Sequence, residues 1–239
     1  MQMKYYILLI LFFTGFNVTA QRQFVVDPDA ELREISGSFS SIKVSSGIHI
    51  YLSKGDVEVL AVSASNEKYK QGIKTEIING VLNIFYAGDK IRFGNNYKMN
   101  VYVAYKNLEQ IQSSGASNIY IAGVMELPLL NVQMSGASEF KGEIKIDELN
   151  IKLSGASNMK LHGSAKNVNI ESSGASDVKA FELFTESCNI KSSGASDVNI
   201  TVNKEISVNA SGASNVYYKG AAEIKEKQSS GASSIARVQ

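Results

Sequence analysis

The residues of this chain whose type and spacing could do chemistry are serines. Ser-Gly-Ala-Ser begins at 114, 135, 154, 173, 193, 211 and 230. A nucleophilic serine needs a base to take its proton. His49 and His162 are the only two histidines, and two cannot serve seven equivalent serines. The tetrapeptide also lacks the Gly-x-Ser-x-Gly nucleophile elbow. The expectation is a structural corner with no catalytic residue. His49, between Ile48 and Ile50, is expected to point outward, and His162 to lie on an ordinary surface. Four residues after a motif starts come Glu139, Asp177 and Asp197, oxygens of the kind a hard cation takes. Asn158 and Asn215 interrupt that series, so solvated turn residues are expected and no metal. Two residues further on, Lys141, Lys160 and Lys179 recur. They offer contacts to an anionic glycan, or salt bridges to Glu139 and Asp177. Tyr120 and Tyr217 offer rings that either stack on sugars or pack on the strand. No cofactor is implied.

The elements that must position these side chains follow from the period. The motif intervals are 21, 19, 19, 20, 18 and 19 residues, too short for a helical repeat and suited to a solenoid of stacked strands. Three residues before each motif stand Ile111, Val132, Ile151, Ile170, Ile190 and Val208. Five after stand Ile119, Phe140, Met159, Val178, Val198, Val216 and Ile235. Apolar residues two apart, alternating with polar ones, make strands with one buried face. The fold expected is all-β, a right-handed parallel β-helix of about 20-residue coils. Cys188 falls in the column five residues before the motif, beside Val168 and Ile206, and reads as a small buried hydrophobe. Gly115, Gly136, Gly155, Gly174, Gly194, Gly212 and Gly231 supply corners free to take positive φ. Asn131, Asn150, Asn169 and Asn189 would stack into an amide ladder. Lys225 and Lys227 enter the apolar columns of the last repeat, where charge blunts a sheet edge.

Three sections result. Residues 1–20 read as a secretory signal peptide: Lys4 precedes an apolar run from Tyr5 to Phe16, and Val18-Thr19-Ala20 suits cleavage before Gln21. Residues 21–110 are β-rich but less regular, either solenoid or sandwich, with an Asn79-Gly80 hairpin turn and a helical turn in Asn66–Gln71. Residues 111–239 carry the seven repeats. Of 24 Lys+Arg only Lys4 leaves with the signal, so 23 remain against 23 Asp+Glu. A neutral chain has no global pull toward nucleic acid or an anionic membrane. No later segment is apolar enough for a transmembrane helix. A single cysteine excludes an internal disulfide.

The order of FSSIKVSSGIHIYLSKGD, IKTEIINGVLNIFY, MNVYVAYKNLEQIQSSGAS and the recurring corners resembles the family called putative auto-transporter adhesin, head GIN domain, over nearly the whole chain after the signal. After Gly47-Ile48 this sequence has His49 where the family's name-giving motif has Asn. The resemblance implies a two-part exported β-helical protein, with no ligand, cofactor or catalytic residue to carry over. Three functions stand open: non-enzymatic adhesin-like binding or a structural role at the envelope, a polysaccharide lyase-like enzyme on the same fold, and a periplasmic component without ligand. The partner expected is an envelope or extracellular glycan or protein, and self-association is open. Location is the periplasm, the outer surface or the extracellular space. A lyase would pair Asp with Arg or Lys in a groove. The arginines here, Arg22, Arg33, Arg92 and Arg237, lie outside the intact repeats.

Overall fold

A computed structural model describes residues 27–89 and 97–239. The expected signal peptide and residues 90–96 lie outside the described residues. The chain is a β-solenoid of about seven turns with coils of about 19 residues. Five long strands carry its regular part: β9 (Asn118–Met134), β10 (Glu139–Leu153), β11 (Asn158–Ser172), β12 (Asp177–Ser192) and β13 (Asp197–Ala210). Each pairs in parallel with the next. The coil on β13 is split into β14 (Asn215–Lys219) and β15 (Glu223–Ser229), and β16 (Ser234–Arg237) stacks on β14 as the start of a further one.

Alternation within β10 shows how the strand encloses a core. Phe140, Ile144 and Ile146 face inward, then Asp147 and Glu148 both face solvent, then Leu149, Ile151 and Leu153 face inward again. The doubled exposed pair is a bend, so each coil turns there as well as at its Ser-Gly-Ala-Ser. Stacked in register, the three apolar columns expected from sequence are buried through β13, while in the last repeat only the column ending at Ile235 stays covered and β15 is exposed. Each fully buried Ile or Val contributes about 1.5–3 kcal/mol relative to exposure, offset by ordering entropy.

The N-terminal section belongs to the same sheet. Its elements are β1 (Glu31–Arg33), β2 (Ser41–Val44), β3 (His49–Lys54), β4 (Val59–Ala64), α1 (Glu67–Gly72), β5 (Ile73–Ile78), β6 (Val81–Tyr86), β7 (Met99–Tyr105) and β8 (Gln110–Ser113). β2 and β3 stack in parallel on β8 and β9, so they form one more coil. β6 and β7 stack in parallel on β2 and β3, and beyond them the pairing becomes antiparallel on both sides, β7–β4–β1 on one and β6–β5 on the other. The hairpin turn is present, with φ +51° at Asn79 and +75° at Gly80. The helical turn is α1, whose Asn66 side chain accepts from the Tyr69 N–H.

Two details differ from simple counting. Columns more than six residues past the motif do not keep their number, because bulges intervene: Glu143 aligns with Val124, and His162 with Glu182. Lys225 is itself a bulge residue, so Ile224 and not Lys225 stands opposite Ile206.

Candidate ligand-binding face

The repeated serines sit on the corners of the coils. All seven glycines have φ between +72° and +77°. Each corner hydrogen-bonds to the one before: Ala156 N–H donates to the Gly136 carbonyl at 2.7 Å, Ala175 to Gly155 at 2.7 Å, and Ala195 to Gly174 at 2.7 Å. A Cβ on Gly155, Gly174, Gly194, Gly212 or Gly231 would stand 2.5–2.7 Å from the preceding glycine's oxygen. Backbone stacking, and not only positive φ, therefore demands glycine.

The second serine of each motif turns inward. Ser157, Ser176, Ser196 and Ser214 are 0% exposed. Their hydroxyls donate to the carbonyl of the motif's first serine, for example Ser176 to Ser173 at 2.9 Å and Ser196 to Ser193 at 2.7 Å. These hydroxyls close the turn, as short polar side chains do. No hydrogen bond among the described residues joins a corner serine to a histidine. His162 lies beside Glu143, Nε2 to Oε2 3.7 Å, and His49 lies against the ring of Tyr120.

An eighth corner is hidden in the N-terminal section. Val44 aligns with Ser113 and His49 with Asn118, so Ser46 takes the place of Gly115. Ser46 has φ +71° and Gly47 +74°. The repeated string Ser-Ser-Gly at 45–47 and 113–115 invites an alignment one residue out of register, which conceals this corner in the sequence. His49 takes the place held by Asn118, Asn158 and Asn215 in later coils.

On the outer face, the side chains singled out for binding share one row. Tyr120 aligns with Lys141, Lys141 with Lys160, and Lys160 with Lys179. Asn199 then separates Lys179 from Tyr217. In the other direction the row continues through Tyr51 to Tyr102, two residues that no sequence pattern joins to Tyr120. Their rings stack, Tyr51 on Tyr102 at 5.1 Å between centroids and on Tyr120 at 5.2 Å. The ring faces are thus largely used on one another. The Tyr102 hydroxyl donates to Asp27 at 2.6 Å, and Ser63 donates to the same carboxylate at 2.5 Å. Burial and the Asp27 charge push the Tyr102 phenol well above its ordinary range. Burial also works against the Asp27 carboxylate, but the hydrogen bonds from Ser63, Tyr102 and the Asp29 N–H outweigh it and hold its pKa down. Burial, aided by Lys98, lowers the pKa of His49.

The lysine part of the row is unusual for this rod. Elsewhere cations meet carboxylates across coils: Lys145 with Glu126 at 2.6 Å, Lys166 with Asp147 at 2.7 Å, Lys204 with Glu186 at 2.6 Å. Lys179 reaches Asp177 at 3.5 Å. Among the described residues, Lys141 and Lys160 form no ion pair, and like charges facing across a ladder oppose its formation. Rows of acids flank them: Glu139, which accepts from the Tyr120 hydroxyl at 3.4 Å, Asp177 and Asp197 on one side, Glu143 and Glu182 on the other. Asp197 accepts from Asn215 at 2.8 Å. No group of three His, Cys, Asp or Glu among the described residues is placed to hold a metal ion. The amide ladder runs from Asn131 through Asn150 to Asn169, at 3.0 and 2.8 Å. Cys188 is buried in its column, and burial pushes its thiol far up.

The fold and this face define a class: a solenoid whose repeats build a surface. The chain belongs to the family described as putative auto-transporter adhesin, head GIN domain, whose model matches residues 38–222. It is similar in fold to a putative adhesin from Bacteroides fragilis, at 18% identity over 87% of this chain and 96% of that one, with a TM-score of 0.78. A putative adhesin from Parabacteroides merdae is similar at 17% identity over 88% and 97%, TM-score 0.67. A putative lipid binding protein from Parabacteroides distasonis is similar at 20% identity over 88% and 96%, TM-score 0.65. No curated protein matches the chain. No helix among the described residues is long and apolar enough to cross a membrane.

Proposed function

We propose that this protein is an exported, non-catalytic binding protein of adhesin type, which meets an extracellular or envelope glycan along the row from Tyr102 to Lys179. The observation that carries the reading is the row itself: three phenols and three ammonium groups in unbroken register on one face. A chain-like ligand lying along the rod would meet one side chain per coil, about every 4.8 Å. Phenol hydroxyls and ammonium groups suit the hydroxyls and carboxylates of an acidic polysaccharide. The hydroxyls of Ser138, Ser157, Ser176, Ser196, Ser214 and Ser233 close turns, which supports a structural rather than a nucleophilic role for the corners.

Binding of the mature protein to immobilised acidic and neutral polysaccharides tests this. Retention on an acidic glycan, lost in Lys141→Glu/Lys160→Glu and weakened in Tyr51→Ala, supports it. Retention unchanged in those variants, or none on any glycan, overturns it. Turnover of a polyuronate, abolished by Lys160→Ala or Asp177→Ala, would favour a lyase on the same face. Cell fractionation tests export and the final compartment.

A further inference from the structure

The two sheet edges at the N-terminal end are unlike each other. β1 has three residues and follows Pro28 closely, as short, guarded edges do. β5 has six residues, IKTEII, no proline and no bulge, and pairs only with β6 among the described residues. Lys74, Glu76 and Ile78 face out, and Ile78 is 52% exposed.

The hydrogen-bond phase of β5 follows from its neighbours. Ile78 and Val81 flank the two-residue turn and form the first bonded pair of the hairpin. The Ala87 N–H donates to the Gly72 carbonyl at 2.8 Å, in the same phase. On its other edge β6 serves β2, where the Ser45 N–H donates to Ile84 at 3.0 Å. So residues 74, 76 and 78 bond to β6, and the main-chain groups of Thr75 and Ile77 point away from the sheet. They have no partner among the described residues. The Ile73 carbonyl points the same way, while its N–H caps α1.

The strand is self-complementary about Thr75. Laid antiparallel on a second copy with a two-fold axis at Thr75, Thr75 meets Thr75, Ile73 meets Ile77, and Lys74 meets Glu76. The residues with free backbone groups are then the hydrogen-bonded pairs, and four N–H···O bonds form. The oppositely charged side chains become the facing pairs between them, twice over by symmetry. Apolar Ile73 and Ile77, both on the core-facing side of the strand, cover each other. Shifting the register by two residues loses both charge pairings. An isologous contact of this kind closes at two chains.

We propose that the β5 edge, centred on Thr75, pairs with the β5 edge of a second copy of this chain and makes a two-fold dimer with one sheet continuous across it. β1, the other free edge at the N-terminal end of the sheet, takes no part. The contact is independent of the glycan reading, since β5 is remote in register from the tyrosine–lysine row.

Sedimentation of the mature chain over a range of concentrations tests it. The wild type is expected to sediment at twice the chain mass. Lys74→Glu sets two carboxylates opposite each other and is expected to weaken association at least tenfold. The exchange Lys74→Glu/Glu76→Lys restores the pairing and is expected to restore the dimer. Thr75→Pro removes an outward N–H that β6 does not use, and is expected to give a monomer with unchanged circular dichroism. A wild type that stays monomeric overturns the proposal. So does a dimer indifferent to Lys74→Glu, or one that the charge exchange fails to restore.

Discussion

Each coil turns at two places, and the two are built on opposite principles. At the Ser-Gly-Ala-Ser corner the backbone stacks on backbone, and every repeat spells the same four residues. On the limb from the lysine row to the far bend the backbone ladder is interrupted by bulges, salt bridges cross it, and the residues vary. Chain length varies there too. From Tyr120 to Leu129 is nine residues, where Lys141 to Glu148 and Lys160 to Asn167 take seven. Lys179 to Ser187 takes eight, and Asn199 to Glu205 takes six. Those differences account for the first five motif intervals. Where a glycine oxygen accepts from the next corner at 2.7 Å, no atom can be added. Where a bulge and a salt bridge meet solvent, one or two residues can be.

The largest effects should come from attacking that contrast directly. Gly174→Val places a branched side chain at φ +76° against the Gly155 carbonyl, and is expected to cost more than about 4 kcal/mol in urea unfolding. Inserting one alanine between Gly174 and Ala175 should be as damaging. The same insertion between Ala122 and Gly123, where a Cβ meets nothing, should cost about 1 kcal/mol or less. Next in size, Ser176→Ala leaves a turn unclosed in the interior and is expected to cost about 1–2 kcal/mol. Glu186→Ala at the far bend should lie within about 0.5 kcal/mol of wild type.

Acid should act on the N-terminal coils before the repeats. His49 has a lowered pKa, so the unfolded chain binds its proton first as pH falls below about 6.5, and stability declines from there to the folded value. Asp27 has a lowered pKa as well, so its contribution is present above 3.8 and lost below it. His49→Gln is expected to flatten the stability profile between pH 7 and 5, and Asp27→Asn the part below pH 4. Amide exchange against pH reads both, and an unchanged profile in His49→Gln counts against burial as the cause. Smallest of all, Lys160→Glu interrupts a like-charge row and should raise stability by up to about 0.5 kcal/mol while reducing glycan retention. A loss of stability would mean that the lysines are not in repulsion.

Much of the solenoid was legible in the sequence because its signals repeat. Val132, Ile151, Ile170 and Ile190 announce a column by recurring at nearly one spacing, and positive φ at seven glycines needs only the rule that glycine tolerates it. Three things were not legible. The corner at Ser46 keeps the shape and loses the spelling. The tyrosine row joins residues 51 and 69 positions apart, Tyr51 to Tyr102 and Tyr51 to Tyr120, through parallel pairing that no local pattern declares. Bulges at Ala122-Gly123, at Ala180-Phe181 and at Lys225 break any count that assumes a fixed period. Of the binding face, the lysines and Tyr120 could be found because they lie inside the repeats, while Tyr51 and Tyr102 lie outside them.

The central claim is that stacking, beyond backbone conformation, fixes the corner. Gly115 and Gly174 share the same corner geometry, at φ +73° and +76°. A Cβ on Gly115 would meet only the Ser46 nitrogen, at 3.4 Å, whereas on Gly174 it would stand 2.5 Å from the Gly155 oxygen. The direct measurement is the unfolding free energy of Gly115→Ala against Gly174→Ala. A cost of about 1 kcal/mol is expected for Gly115→Ala and at least about 2 kcal/mol more for Gly174→Ala. Equal costs at the two sites would contradict it.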